Sequence, residues 1–133
     1  IGHGNFTYFN KEEIPTNVIF HGPISNNMLW KKLNNMDLHV LLSRNEGFPK
    51  VILETAASSI PSIVYSDYGA DEWIQDKHSG FIVSDFSDVV ETLNNITKDN
   101  FDFSKVSTNT YNMSLKYSWK EVIKDWELEI RKL

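Results

Sequence analysis

The 133-residue sequence predicts an α/β protein whose parallel β-sheet is covered by helices on both faces. Short β-branched runs alternate with amphipathic stretches of helical periodicity, and this alternation is typical of βαβ crossovers. The length suits one domain of roughly 150 residues. Hydrophobic residues make up 41% of the chain and charged residues 23%, which are the proportions of a folded globular protein.

Charge and cysteine content exclude several classes of function. The formal net charge is −5, which argues against a nonspecific nucleic-acid binder because such a protein needs a basic surface. The chain has no cysteine, so disulfides, iron–sulfur clusters and thiol nucleophiles are excluded. The four histidines lack the spacing of a helical metal site, and no metal site is predicted. No apolar run approaches the roughly 20 residues that span a bilayer.

Four short apolar runs are predicted to form the strands of the sheet. They lie at residues 18–20, 38–42, 62–65 and 81–83. The second run is almost entirely apolar, which predicts a strand that is buried on both faces.

Helices are predicted between and after these strands, and capping residues mark several of their starts. Ser25 caps the first helix, and Ser87 or Asp88 caps the helix after the fourth strand. The other predicted helices cover residues 50–59, 69–76 and, more weakly, 101–117.

The last helix is predicted to begin after Ser118. Ser118 and Glu121 have the spacing of a capping box, and Tyr117 and Val122 have that of a hydrophobic staple. Its apolar residues fall on one face, namely Trp119, Val122, Ile123, Trp126, Ile130 and Leu133. We interpret this face as core packing or as a docking surface for a further domain, with membrane contact as a third interpretation.

The loop after the second predicted strand carries the candidate binding residues, because ligands of parallel sheets bind at the carboxyl ends of the strands. Pro49 suits the first turn of the following helix, where its missing N–H has no intrahelical partner. The free N–H groups of Lys50 and Val51, together with the helix dipole, then form an anion site fit for a phosphate. Arg44 adds positive charge nearby, and Gly47 permits either close approach of a ligand or a positive φ.

Glu46 and Glu54 flank this anion site with seven residues between them. Taken alone, the pair would be interpreted as solvated surface residues. Glu54 is predicted to lie about one turn inside the helix, where a carboxylate accepts hydrogen bonds from vicinal ribose hydroxyls. Two carboxylates around an anion-binding helix start suit a sugar–diphosphate–ribose molecule.

This stretch resembles the E-x7-E motif of retaining glycosyltransferases of the GT-B fold, specifically family 4. The similarity continues in the same order along the chain. Residues 17–24 resemble V-x-F-x-G-x-V/I, 36–43 resemble A-D-x-x-V-x-P-S, 54–61 resemble E-A-M-A-x-G-x-P, 68–72 resemble G-G-x-x-E, and 79–83 resemble x-G-x-L-V. Ser59 and Ala70 stand where that family has glycine.

The resemblance implies that residues 1–133 are the Rossmann-like, donor-binding half of a GT-B enzyme. The amino-terminal acceptor domain would then be absent, and the chain would begin inside its own domain. Glu54 is implied to hold the ribose hydroxyls of a nucleotide-sugar, and Glu46 to contact the transferred sugar near the reaction centre.

The remaining implied contacts come from the backbone. Gly47, Phe48, Pro49 and Lys50 are implied to approach sugar and diphosphate oxygens. The other implied positions are Ile24, just past Gly22, at the nucleobase edge, and Gly2 and Gly4 in a G-x-G loop that lines the cleft.

The resemblance also implies the activity of a parent enzyme. It would transfer a sugar from a UDP-, GDP- or ADP-sugar to a glycan, lipid-linked or cell-surface polysaccharide acceptor, with retention and without a protein-held metal. The chain alone is expected to bind the donor without turnover, in the cytoplasm or at the inner face of the membrane. A nucleotide-sugar epimerase half-domain and a non-catalytic α/β interaction domain stay open as alternatives.

Overall fold

The computed structural model describes residues 14–132. The elements follow the order α1 (Asn26–Leu33), β1 (His39–Leu41), α2 (Lys50–Ala57), β2 (Ser62–Tyr65), a 3₁₀ turn (Ala70–Glu72), β3 (Phe81–Val83), α3 (Phe86–Ile96), α4 (Phe103–Lys116) and α5 (Trp119–Ile130). The chain divides into two compact units, and the boundary in sequence falls after Asn35.

The first unit, in its described part, contains a turn and α1. The strand predicted at residues 18–20 is wrong, because no strand forms there. The amide of Val18 donates to the carbonyl oxygen of Pro15 at 3.0 Å. Because this donor is used in a turn, it cannot also bond to a neighbouring strand. Helix α1 begins after Ser25 as predicted, although the Ser25 side chain makes no capping hydrogen bond.

The second unit contains a three-stranded parallel sheet in the order β1-β2-β3. Val40 is aligned with Ile63, and Val64 with Ile82. Strand β2 is buried along its whole length, whereas Val40 in β1 is 44% exposed. The prediction that residues 38–42 are buried on both faces is therefore wrong, since within residues 36–132 β1 is an edge strand.

Helices pack on both faces of this sheet, which confirms the predicted fold class. Alternate side chains of β2 point to opposite faces. One cluster of buried residues contains Val64 together with Ile52 and Ala56 of α2 and Met113 of α4. The other contains Ile63, Tyr65, Phe81, Val83, Val89 of α3 and Val106 of α4.

The helix after β3 is capped by a residue that the sequence pattern did not single out. Asp85 is the N-cap of α3, and its side chain accepts a hydrogen bond from the amide of Asp88. Asp88 in turn accepts from the amide of Ser84 at 2.9 Å. The predicted cap at Ser87 or Asp88 is therefore wrong by two or three positions. Residues 85–88 contain three side chains that can cap a helix, and the sequence does not show which of them does so.

The last helix forms where it was predicted, but its predicted capping box does not. Ser118 makes no side-chain capping bond, and Glu121 pairs instead with Lys124 at 2.8 Å. No residue of α5 is buried, and Trp119 is 82% exposed. The interpretation of its apolar face as core packing is therefore wrong, while docking on a further domain and membrane contact stay predictions. Within residues 14–132, no helix has both the length and the hydropathy to cross a membrane.

Candidate functional site

Helix α2 begins at Lys50, as the loop sequence predicts. Pro49 is the residue before the first turn rather than in it, with φ −76° and ψ 94°. Its carbonyl oxygen accepts from the amide of Ile52 at 3.0 Å. Within the described chain, the amides of Lys50 and Val51 have no hydrogen-bond partner. The start of α2 thus presents two unsatisfied donors at the positive end of the helix dipole.

The two candidate glutamates lie on either side of this helix start. Glu46 is half-buried in the loop that leads into α2, and one of its carboxylate oxygens accepts a hydrogen bond from the hydroxyl of Ser43. Glu54 is a half-buried residue of α2, one turn beyond Lys50. The first turn of α2 carries no acidic residue that would repel an anion at Lys50.

Gly47 leaves the loop backbone open. A Cβ placed on Gly47 would have no heavy atom within 4 Å, and Gly47 is not among the residues with a positive φ. Close approach of a ligand and a positive φ are the two predicted reasons for a glycine at position 47, and the positive φ is therefore wrong. The absence of a side chain keeps one surface of the loop free for a ligand.

The carboxyl ends of β1 and β2 bring oppositely charged side chains together. Arg44, after β1, forms an ion pair of 2.7 Å with Asp67, after β2. Its guanidinium also lies 4.2 Å from the centre of the Tyr65 ring. The hydrogen bond to Asp67 raises the pKa of Arg44. Arg44 is thus held by the protein, and Lys50 is exposed at the helix start.

Aromatic side chains that sequence reasoning missed support the same loop. The ring of Phe48 lies 5.6 Å from that of Trp73 and 6.1 Å from that of Tyr117. Tyr68 also stacks on Trp73, with 6.3 Å between the ring centres. The resemblance at residues 68–72 drew attention to this turn, but no spacing rule marks Tyr68 or Trp73 as neighbours of Phe48.

The remaining candidate residues precede this unit. Gly22, with φ +60°, and the half-buried Ile24 belong to the first unit. Gly2 and Gly4 lie outside the described residues. Among the residues that are described, no group of histidine, aspartate or glutamate side chains could hold a metal ion.

A cavity of about 350 Å³ lies between the 3₁₀ turn and α4. Its lining includes Glu72, Trp73, His78, Asn109 and Tyr117. Neither Glu46 nor Glu54 borders it.

Several solved structures share this fold. The structure of Anabaena HepE in complex with UDP-glucose matches 89% of this chain with a TM-score of 0.71 and 18% identity, and this chain spans only 33% of it. The carboxy-terminal domain of the Francisella tularensis protein LpcC, a glycosyl transferase group 1 family protein, matches 77% of this chain and 53% of its own length, with a TM-score of 0.65 and 24% identity.

A third such structure is the pneumococcal O-GlcNAc transferase GtfA in complex with UDP and GlcNAc, of which this chain spans 23%. It matches 84% of this chain with a TM-score of 0.65 and 20% identity. Comparison with curated protein sequences gives no significant match. The family model described as "Glycosyl transferases group 1" matches residues 6–113, and the chain therefore belongs to the group 1 glycosyltransferase family.

Proposed function

We propose that this chain is the nucleotide-sugar-binding part of a retaining glycosyltransferase of family 4. The observation that carries the proposal is the start of α2, where the unpaired amides of Lys50 and Val51 lie between Glu46 and Glu54 in sequence. Unpaired amides at a helix start bind phosphate oxygens. Carboxylates on either side of a diphosphate suit the hydroxyl groups of a ribose and of a hexose.

UDP-sugars are the first donors to be considered. HepE and GtfA, which share the fold, form complexes with UDP-glucose and with UDP and GlcNAc, respectively. The chain spans a third or less of these proteins, so the acceptor, the linkage and the stereochemical outcome are proposals about a longer enzyme.

The proposed chemistry assigns a distinct task to each part of the site. Charge develops on the leaving diphosphate as the glycosidic bond breaks, and preorganised amides stabilise that charge in the transition state. The amides of Lys50 and Val51 would do this from the helix start. Glu46 would stabilise the positive character that grows on the sugar ring, and Glu54 would fix the ribose and so align the donor.

Calorimetric titration with UDP-, GDP- and ADP-glucose tests the binding proposal. We expect saturable binding of one of them and a loss of about 10- to 100-fold in affinity in Glu54→Gln, because hydrogen bonds to a charged acceptor are lost. Glu127→Gln is the matched control, since Glu127 is an exposed residue of α5. Equal affinities of wild type and Glu54→Gln would contradict the ribose assignment.

Product analysis separates the proposed transferase from its alternatives. An enzyme containing this chain should release the nucleoside diphosphate and form a glycoside with the anomeric configuration of the donor. Conversion of one nucleotide-sugar into its epimer would identify the epimerase alternative. Absence of binding to all three donors would favour a non-catalytic interaction domain.

A further inference from the structure

The hydroxyl of Tyr68 is a buried polar atom without a partner. Its oxygen is inaccessible to solvent and has no hydrogen-bond partner within residues 14–132. A buried hydroxyl that is not hydrogen-bonded destabilises the state in which it occurs, so such groups are rare and often have a function. Tyr68 lies two residues after Ser66 in the turn that leaves β2, at the carboxyl edge of the sheet.

The tyrosine ring packs beside α2 and is linked through Trp73 to the loop that carries Glu46. It packs on the buried cluster around Ile52 and Ala56 of α2. It also stacks on Trp73, whose ring contacts Phe48, two residues after Glu46. The hydroxyl therefore cannot move freely to water, and any partner for it must come to it.

The negative charges of two carboxylates act on this hydroxyl, and of these two only Glu46 has no basic partner within residues 14–132. Burial and the negative charges of Glu46 and Asp67 raise the pKa of Tyr68, which keeps the phenol protonated and able to donate. Asp67 is bound by Arg44 at 2.7 Å. Glu46 uses one oxygen for Ser43, and its second oxygen has no partner within the described residues.

We infer that Tyr68 is a positioning residue for Glu46 and that its hydroxyl donates to the second carboxylate oxygen of Glu46 when the donor is bound. Ser43 and Tyr68 then hold one oxygen each and direct the carboxylate at the transferred sugar. The inference rests on the proposed function, because it assigns Glu46 to the sugar end of a nucleotide-sugar. A charge-assisted hydrogen bond of this type is stronger than one between neutral groups.

The variant Tyr68→Phe removes the hydroxyl alone and keeps the ring contacts. In urea unfolding, the free protein should be as stable as wild type or more stable, because the lost hydroxyl had no partner. In calorimetric titration, the affinity for UDP-glucose should fall about 5- to 10-fold, whereas the affinity for UDP should stay unchanged. Tyr111→Phe, at an exposed position of α4, is the matched control and should change neither property.

A double-mutant cycle tests whether Tyr68 acts through Glu46. In a Glu46→Ala background, Tyr68→Phe should no longer weaken UDP-glucose binding, because the partner carboxylate is gone. A merely structural tyrosine would lower stability and weaken UDP and UDP-glucose binding alike, and that pattern would overturn the inference.

The same titrations separate this inference from the proposed function. If Glu54→Gln weakens binding of UDP-glucose but Tyr68→Phe does not, the inference on Tyr68 is wrong and the proposed function stands. If the wild-type chain binds neither UDP-glucose nor UDP, the proposed donor site itself is contradicted.

Discussion

Replacing Ser59 by glycine should stabilise the protein, because Ser59 has the left-handed backbone conformation that glycine tolerates best. Its φ is +62°. The amide of Ile60 donates to the carbonyl oxygen of Thr55 at 3.0 Å, and the amide of Ser59 donates to that of Ala56 at 2.9 Å. These two bonds form a Schellman motif at the end of α2, in which the residue at Ser59 is usually glycine.

The expected gain in the free energy of unfolding is the difference between two opposing effects of the glycine. A residue with a Cβ in the left-handed region is destabilised by about 1–2 kcal/mol, and glycine removes that strain. Glycine also loosens the unfolded chain, which lowers stability by about 0.5–1 kcal/mol. The Ser59 hydroxyl makes no hydrogen bond within the described chain, and the bond from Ser107 is to the Ser59 carbonyl oxygen, which glycine keeps. The net gain is about 0.5–1 kcal/mol.

Urea unfolding monitored by tryptophan fluorescence measures this difference, and calorimetry should show a Tm higher by about 2–4 °C. Ser58→Gly is the matched control, because the adjacent Ser58 has φ −98° and gains no strain relief. That control should lose about 0.5–1 kcal/mol. If Ser59→Gly were as destabilising as Ser58→Gly, the argument from backbone strain would be refuted.

Two further predictions concern the buried contacts of β1 and β2. Burial lowers the pKa of His39 to about 4 from 6.5, and its Nδ1 lies 2.9 Å from Ser62 Oγ. As the pH falls, His39 is therefore protonated in the unfolded chain before it is protonated in the folded protein. The stability that depends on a neutral His39 is complete above pH 6.5 and is lost towards pH 4. Urea titrations should show that the free energy of unfolding falls by about 2 kcal/mol between pH 7 and pH 5. His39→Gln should reduce this pH dependence, whereas His78→Gln, at an exposed position, should leave it unchanged. Equal pH dependence in both variants would contradict the role of His39. Gly80→Ala should lower the free energy of unfolding by about 1–3 kcal/mol, since a Cβ there would lie 3.0 Å from Ile74 Cγ2 and 3.1 Å from the Ser62 carbonyl oxygen; a stability equal to wild type would show that the neighbours move aside at no cost.

The features that the sequence predicts correctly are those with a local physical cause. Pro49 lacks an amide hydrogen and disfavours a helical conformation in Phe48, so the sequence alone limits the start of α2 to Pro49 or Lys50, and the helix begins at Lys50. The alternation of β-branched runs and amphipathic stretches likewise predicts the parallel sheet with helices on both faces. The roles of Glu46 and Glu54 stay predictions.

The features that the sequence does not predict depend on partners that are distant along the chain. An amphipathic pattern marks an apolar face on α5, but it does not say whether another element covers Trp119 and Trp126. Residues 18–20 have strand-forming side chains, yet a strand requires a neighbour with which to pair. No sequence pattern predicts that the hydroxyl of Tyr68 is buried without a partner within residues 14–132.

Backbone amide NMR during a titration with UDP tests most directly whether the start of α2 binds a diphosphate. We expect the amide resonances of Lys50 and Val51 to show the largest shifts and to saturate together with the binding isotherm. Saturable binding that leaves these two resonances in place, with the shifts gathered instead around the cavity at His78 and Asn109, would contradict it.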